Sequence, residues 1–198
     1  MYVNAHRQEH LITPKYKGKV LSRGDGQIPT LMYDLFYIGT PHKTESRIAS
    51  IVIQACKRYG QEPLEDNMHN IWCYVGGDTT DIMFSCHMDT VHTEEEEISL
   101  CLSTGAEKDS GFLFAVKKDN KKCGAILGAD DKIGVYILLK MIQRKIPGMY
   151  VFHVGEEAGC VGSTWLADHY KDSDILKQIK KCVAFDRRGT TDVIHTQR

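Results

Sequence analysis

Four short polar segments of this sequence carry side chains that can bind a metal ion or move a proton. Imidazole and carboxylate groups are ligands for zinc, cobalt and manganese, and a carboxylate without a metal can act as a general base. The side chains of this kind are His87, Asp89, Asp130, Asp131, Glu156, Glu157 and Asp186.

The first segment, residues 86–90, places His87 and Asp89 two positions apart at the end of an apolar run typical of a strand. In an extended backbone this spacing points both side chains to the same side. An imidazole that binds metal needs an orienting group, and Asp89 can supply it. A His and an Asp at this spacing are also common as plain surface neighbours, so the pair alone leaves both interpretations open.

Glu156 and Glu157 are adjacent and lie between two glycines, directly after a second apolar run. Two neighbouring carboxylates repel each other, and the repulsion is costly in a partly buried turn unless a cation or a shared proton compensates it. One carboxylate can bind a metal ion while the other takes a proton from water. The pair therefore indicates metal-assisted acid–base chemistry.

The remaining aspartates have ordinary alternatives. Asp130 and Asp131 come just before a predicted helix, where an aspartate caps the first turn and interacts favourably with the helix dipole. Asp186 is followed by Arg187 and Arg188, which allows a simple salt bridge. Capping does not exclude metal binding, so these positions remain open on the residues alone.

The elements that must position these segments alternate between strands and helices. This alternation predicts an α/β fold with a mixed, mainly parallel sheet flanked by helices, and such sheets bind ligands outside the carboxyl ends of their strands. We expect residues 1–30 to form an irregular N-terminal arm, residues 31–198 to form one α/β domain, and the acidic run 94–97 to be a solvated loop. Strands are predicted over residues 71–75, 82–86, 111–116, 149–154, 182–185 and 192–195, and helices over 30–37, 45–60, 131–144 and 162–169.

Composition excludes several classes of partner. The 25 basic and 26 acidic residues give no overall positive field for nucleic acid and no polybasic patch for a membrane. No apolar run approaches the roughly 20 residues of a membrane helix, and residues 1–10 lack the pattern of a secretion signal, so we expect a cytoplasmic protein. The seven cysteines include no Cys-x-x-Cys pair, which favours reduced thiols over a disulfide framework.

Taken together, the segments resemble the ordered motifs of the co-catalytic zinc exopeptidase and deacylase superfamily, above all its peptidase T and carboxypeptidase G branch. The motifs are FSCHMDTV at 84–91, GADDKIG at 128–134, GEEAG at 155–159 and FD at 185–186. From His87, the positions of Asp130, Glu157 and Asp186 follow at intervals of 43, 27 and 29 residues. The similarity covers about residues 30 to 195.

The resemblance implies a site with two Zn²⁺ ions, for which Co²⁺ or Mn²⁺ can substitute. It assigns His87 and Asp186 to one ion and Glu157 to the other. Asp130 bridges the two ions. This ligand set consists of one imidazole and three carboxylates, which suits all three metals.

The resemblance also implies a function, that of a metallopeptidase such as an aminopeptidase. Its substrate is a small peptide or an N-acyl amino acid, whose terminal amide bond is cleaved by a metal-activated water. Asp89 orients the histidine ligand, and Glu156 is the general base that deprotonates this water.

The sequence departs from the family in one respect. The family completes its second metal site with a histidine that follows a lid domain, whereas this chain continues for 12 residues past Asp186. His195 is a poor positional substitute, and we interpret His92 and His153 as structural. We therefore expect the first half of a catalytic domain. The alternative function is a truncated or split-gene product that is inactive alone and acts as a binding module, or that needs a complementing chain or a homo-oligomer.

Overall fold

The computed structural model describes residues 17–77, 79–104, 110–187, 189 and 193–194. These residues form ten strands and five helices. In chain order the elements are β1 (Gly18–Val20), α1 (Thr30–Phe36), β2 (Ile38–Gly39), α2 (Ser46–Arg58), β3 (Leu64–Glu65), β4 (Ile71–Val75), β5 (Ile82–His87), β6 (Glu96–Thr104), β7 (Ser110–Lys117), β8 (Gly124–Ala125), α3 (Ala129–Gln143), β9 (Gly148–His153), α4 (Val161–Tyr170), α5 (Asp174–Lys177) and β10 (Lys181–Ala184).

The central sheet has the strand order β10-β5-β9-β4-β3. The α/β class with a mixed sheet is confirmed, but parallel pairing is confined to β10, β5 and β9, while β4 and β3 pair antiparallel. Parallel neighbours need a long crossover connection. Helices α3, α4 and α5 provide these crossovers before β9 and β10, whereas only a short turn separates β3 from β4.

A second sheet, which the sequence does not predict, contains β1, β6, β7 and β8 in this order, and β2 also pairs with β6. All its pairings are antiparallel. Its long strand β6 begins at Glu96, so the expected solvated loop over 94–97 is wrong for the last two residues. Glu97 accepts hydrogen bonds from Arg47 and Lys118, and the buried Ile98 and Leu100 that follow fix the strand in the core.

Side chains of the central sheet alternate between two hydrophobic clusters. Tyr150 and Phe152 of β9 face the larger cluster, which includes residues of α1, α2 and α3. Met149 and Val151 face a smaller cluster that includes residues of α4 and α5. Full burial of each such side chain stabilises the folded state by about 1.5–3 kcal/mol. Each face of the sheet therefore gains stability when helices cover it. The flanking helices predicted from the sequence are thus present on both faces.

The elements predicted between residues 30 and 187 are present, with ends displaced by at most two residues. The N-terminal region differs from the expected irregular arm, because β1 pairs with β6 and Leu21 is buried. Residues 1–16 of that arm lie outside the described residues, as do Arg188, Asp192 and His195. Val193 and Ile194, from the predicted strand 192–195, are described and are not in a strand.

The structure also describes the length of the helices and the state of the cysteines. Among its helices, none is long and apolar enough to cross a membrane. All seven cysteines are free thiols, five of them buried and two, Cys160 and Cys182, exposed.

Candidate metal centre

The candidate site forms at the edge where three parallel strands end. His87 is the last residue of β5, and it is in register with His153, the last residue of β9. Ala184, which ends β10, is in register with Ser85 of β5. Because parallel strands have their carboxyl ends at one edge, the segments that follow them meet there. The start of α3, which carries Asp130, packs against the same strand β5.

His87 lies at the centre of this edge and is 2% exposed. Its Nε2 atom is 3.2 Å from Asp130 Oδ1, 3.9 Å from Glu156 Oε2 and 3.9 Å from Asp186 Oδ1. On the other side of the ring, Nδ1 is 3.0 Å from the backbone oxygen of Asp89 and 3.4 Å from its Oδ1. In the neutral ring, an N–H at Nδ1 that donates to Asp89 leaves the Nε2 lone pair on the side of the three carboxylates, where a cation can take the place of the second ring proton.

The potential ligand atoms form two groups that share His87. One group contains His87, Asp130 and Asp186, and the other contains His87, Glu156 and Glu157; within each group the ligand atoms lie within 4.8 Å of one another. The first group brings together the residues that the resemblance assigns to one ion and to the bridge. The second brings Glu157 to the same centre, together with the expected general base Glu156.

The charges of this cluster favour a cation. Burial raises the pKa of Glu157, and the nearby charge of Asp130 adds to the effect. Burial also raises the pKa of Asp186, with further contributions from Asp130 and Glu156. Carboxylates with raised pKa values are destabilised as anions, and a divalent cation among them removes this cost. One imidazole with several carboxylate oxygens is a donor set that fits Zn²⁺, Co²⁺ or Mn²⁺.

Asp89 is fully buried and binds more than the histidine ring. Its Oδ1 accepts the backbone N–H of Glu156 at 2.9 Å, and its Oδ2 accepts that of Glu157 at 3.0 Å. Burial acts to raise the pKa of Asp89, but the His87 ring and these N–H groups outweigh it and hold the pKa below its usual range. Burial likewise acts to lower the pKa of His87, but the hydrogen bond to Asp89 and the neighbouring carboxylates raise it to about 9.

Asp131 has a role in the site that the sequence analysis does not predict. Its side chain is buried, and Oδ2 accepts the backbone N–H of His87 at 3.2 Å while Oδ1 accepts that of Gly134 at 3.0 Å. Asp130 and Asp131 have non-helical backbone angles, so the second bond caps the regular helix that follows them within α3, which agrees with the capping alternative. Burial raises the pKa of Asp131 to about 8. The exposed Asp130 carboxylate faces His87 instead.

His92 and His153, which the sequence analysis interprets as structural, lie outside both ligand groups of the described residues. His92 is buried, with Nδ1 2.7 Å from Thr90 Oγ1 and Nε2 3.0 Å from the oxygen of Ile126. Both of its ring nitrogens thus have partners. His153 is also buried, and its Nδ1 has no hydrogen-bond partner among the described residues.

No protein-family model and no curated protein matches this sequence. Several solved structures do. A tripeptidase from Staphylococcus aureus is similar over 80% of this chain and 42% of its own, with 24% identity and a TM-score of 0.60. The aminopeptidase PepT from Bacillus cereus is similar over 83% of this chain and 45% of its own, with 26% identity and a TM-score of 0.56. The TET1 peptidase of Pyrococcus horikoshii, which can assemble into a tetrahedron or an octahedral shell, is similar over 79% and 67%, with 17% identity and a TM-score of 0.51.

The PepT structure, with 26% identity, confirms the resemblance that the four motifs indicate, to the zinc exopeptidase superfamily, and the other two structures share the fold of this chain. The tripeptidase and PepT agree with its peptidase T branch. This chain spans less than half of the length of either protein.

Proposed function

We propose that this chain carries the metal centre of a hydrolase that cleaves the terminal amide bond of a small peptide or an N-acyl amino acid. The observation that carries the proposal is the position of His87 Nε2, which is shared by two groups of potential ligand atoms. The similarity to a tripeptidase and an aminopeptidase supports a peptide as the substrate. We further propose that residues 31–198 form the catalytic unit and that it works in the cytoplasm, where free thiols such as its seven cysteines persist.

In this proposal His87, Asp130, Glu157 and Asp186 hold two Zn²⁺ ions, or Co²⁺ or Mn²⁺ in their place. A bound divalent cation polarises the scissile carbonyl group and lowers the pKa of water. The Nδ1–Asp89 contact keeps the His87 ring in the tautomer whose Nε2 is a ligand.

Glu156 transfers a proton from the attacking water to the leaving amine. Cys160 Sγ donates to its Oε1 at 3.5 Å, while its Oε2 is turned to the cluster, 3.9 Å from His87 Nε2. Oε2 is therefore the atom that takes a proton from water as the water attacks the carbonyl carbon. The carboxylic acid formed in this step then gives the proton to the leaving amine. Because Asp89 binds the Glu156 N–H, the base keeps its position between the two transfers.

The first prediction tests these roles. Glu156→Gln removes the proton acceptor and keeps the size of the side chain, so we expect turnover of di- and tripeptides to fall by about 10²–10⁴-fold with metal content unchanged. His87→Ala removes the shared ligand, so metal content itself falls. Elemental analysis and a peptidase assay of the three proteins measure both effects. Full activity in Glu156→Gln contradicts the proposed role of Glu156.

A second candidate function is a metal-binding unit that turns over substrate only with a complementing chain or in a homo-oligomer. It is favoured by β10, which is one of the two edge strands of the central sheet in the described chain and has four exposed residues. An exposed strand edge is a template for pairing with another chain. Metal stoichiometry, mass in solution and turnover separate the two functions, because two metals and turnover in a monomer exclude the second.

A further inference from the structure

The turn that carries Glu156 and Glu157 is bound by side chains from distant parts of the chain. Four consecutive backbone N–H groups, those of residues 154–157, each donate to a buried side-chain oxygen. The last two donate to Asp89, as described above. The N–H of residue 154 donates to Asn70 Oδ1 at 3.1 Å, and that of residue 155 donates to Glu45 Oε1 at 3.2 Å. Three buried side chains therefore fix the backbone from which the two glutamates project.

Glu45 is the unexpected member of this set. It lies directly before α2, where an acidic side chain usually stabilises the start of its own helix. The side chain of Glu45 makes no hydrogen bond to α2. Its carboxylate instead reaches Gly155, a residue 110 positions later in the sequence. Burial of a carboxyl group is costly unless the group is hydrogen-bonded. The bond to Gly155 therefore explains how Glu45, which is only 7% exposed, is tolerated at this position.

The backbone at Gly155 is packed closely against the same region. His42 Nδ1 lies 3.3 Å from Glu45 Oε1, beside the Gly155 N–H. A Cβ atom at Gly155 would lie 2.6 Å from His42 Nδ1 and 3.1 Å from the Cβ of Val161. Gly155 also has a φ angle of +63°, which favours glycine. The turn is thus held by contacts on both sides and by a backbone conformation that other residues rarely adopt.

Asn70 anchors the preceding residue. Its Nδ2 donates to Asp66 Oδ2 at 2.9 Å and to the oxygen of Gly162 at 3.2 Å. These bonds orient the amide so that Oδ1 accepts the N–H of Val154. With residues 154, 156 and 157 bound by Asn70 and Asp89, the contact of Glu45 to Gly155 fills the one remaining position of the run.

We propose that Glu45 is a positioning residue for the metal centre: its carboxylate fixes the Gly155 N–H and thereby directs Glu156 and Glu157 toward His87. Glu45 acts through the turn and touches no reacting atom. The proposal rests on the proposed function for the identity of the metal centre. Its geometric part, the hold of Glu45 on the turn, does not depend on metal.

The second prediction is a Co²⁺ titration of the full chain. Partners that hold ligands in place change metal affinity by about 10–100-fold, so we expect Glu45→Ala to weaken Co²⁺ binding by that factor. Glu45→Gln keeps an oxygen that accepts the Gly155 N–H, and we expect its affinity to stay within about threefold of the wild type. Ile48→Ala is the matched control, because Ile48 is buried in α2, the helix that follows Glu45, and Ala there lowers stability while leaving Co²⁺ affinity unchanged.

Amide hydrogen exchange of the metal-free proteins tests the turn itself. We expect the amides of residues 155–157 to lose protection in Glu45→Ala and to keep it in Glu45→Gln. Wild-type Co²⁺ affinity in Glu45→Ala, with unchanged protection at residues 156 and 157, overturns the proposal. If Glu45→Ala does not fold, Glu45→Asp replaces it, because the shorter side chain withdraws the acceptor oxygen; equal Co²⁺ affinities of Glu45→Asp and Glu45→Gln then overturn the proposal.

The two proposals fail in different ways. A wild-type chain that binds no Co²⁺ overturns the proposed metal centre. The hold of Glu45 on the turn is then decided by exchange alone, where lost protection in Glu45→Ala supports it and unchanged protection overturns it.

Discussion

At the scale of single residues, the site depends on buried polar groups with complete sets of partners. Asp89 shows this most directly, because one carboxylate contacts the His87 ring and two consecutive backbone N–H groups. His92 shows the same feature away from the candidate metal ligands. Thr90 Oγ1 and the oxygen of Ile126 occupy its two ring nitrogens, so the neutral ring needs no water.

The third prediction concerns the charge state of His92. Burial, reinforced by the positive charge of Lys132, lowers the pKa of His92 to about 4. In the unfolded chain the pKa of a histidine is about 6.5, so between these values the unfolded state binds a proton that the folded state does not. The contribution of the neutral His92 ring to the free energy of unfolding is therefore fully present above pH 6.5. It decreases by up to about 3 kcal/mol as the pH falls to about 4.

His92→Gln removes this titration, and the measurement is urea unfolding of the metal-free proteins from pH 8 to pH 4. We expect the difference in stability between wild type and variant to shrink as the pH falls. Parallel stability curves for the two proteins contradict a lowered pKa of His92.

At the scale of secondary-structure elements, helix α4 is held in place by a close contact between its start and the end of β9, just before the turn that carries Glu156 and Glu157. Gly162 lies against Asn70 and Val154, and a Cβ atom there would lie 2.5 Å from the oxygen of Val154. The same oxygen accepts the Gly162 N–H at 2.9 Å. The start of α4 and the end of β9 thus share one contact, and α4 cannot move without disturbing the residues that precede Glu156.

The fourth prediction follows from this approach. Alanine is a better helix former than glycine by about 0.8–1 kcal/mol, yet Gly162→Ala forces the new methyl group into the backbone of Val154. We expect the variant to lower the free energy of unfolding by about 1–3 kcal/mol. Thr164→Ala, at an exposed position of the same helix, is the control and is expected to be neutral or slightly stabilising. Equal stabilities of the two variants in thermal unfolding contradict the close contact.

At the scale of the whole molecule, the candidate ligands connect parts of the chain that are far apart in sequence. They belong to the end of β5, the start of α3, the turn after β9 and the segment after β10. A cation bound by them would therefore link three strands of the central sheet with helix α3. Because the unfolded chain lacks this arrangement, binding stabilises the folded state by mass action.

The fifth prediction is a metal-dependent rise in stability. With free Zn²⁺ at about 100 times its dissociation constant, we expect about 2.7 kcal/mol of added stability, which a chelator removes. The gain should shrink as the pH falls, because the raised pKa values of Glu157 and Asp186 let protons compete with the metal at these carboxylates. Thermal unfolding with and without Zn²⁺ measures the gain, and an equal gain in His87→Ala contradicts metal binding at this centre.

The sequence by itself determined which side chains make up the candidate site and the type of most elements that carry them. The candidate ligand side chains stand next to apolar runs whose spacing predicts nine of the strands and helices between residues 30 and 187. The short elements β2, β3, β8 and α5 and the long strand β6 are not predicted. The sequence missed β6 because the charges of Glu96 and Glu97 obscured the start of the strand and its buried residues do not alternate strictly. It also missed the antiparallel pairing of β4 and β9, since pairing direction depends on which strands become neighbours.

Only the tertiary structure decided which polar side chains support the ligands. Glu45 and Asn70 bind backbone N–H groups that are 110 and 84 positions away, and neither residue belongs to a motif that can be read locally. Asp131 could be identified as a helix cap from its position, but its bond to the His87 N–H exists only because α3 packs on β5. Spacing along the chain reports side chains that share an element, whereas a hydrogen bond between elements depends on how the elements pack.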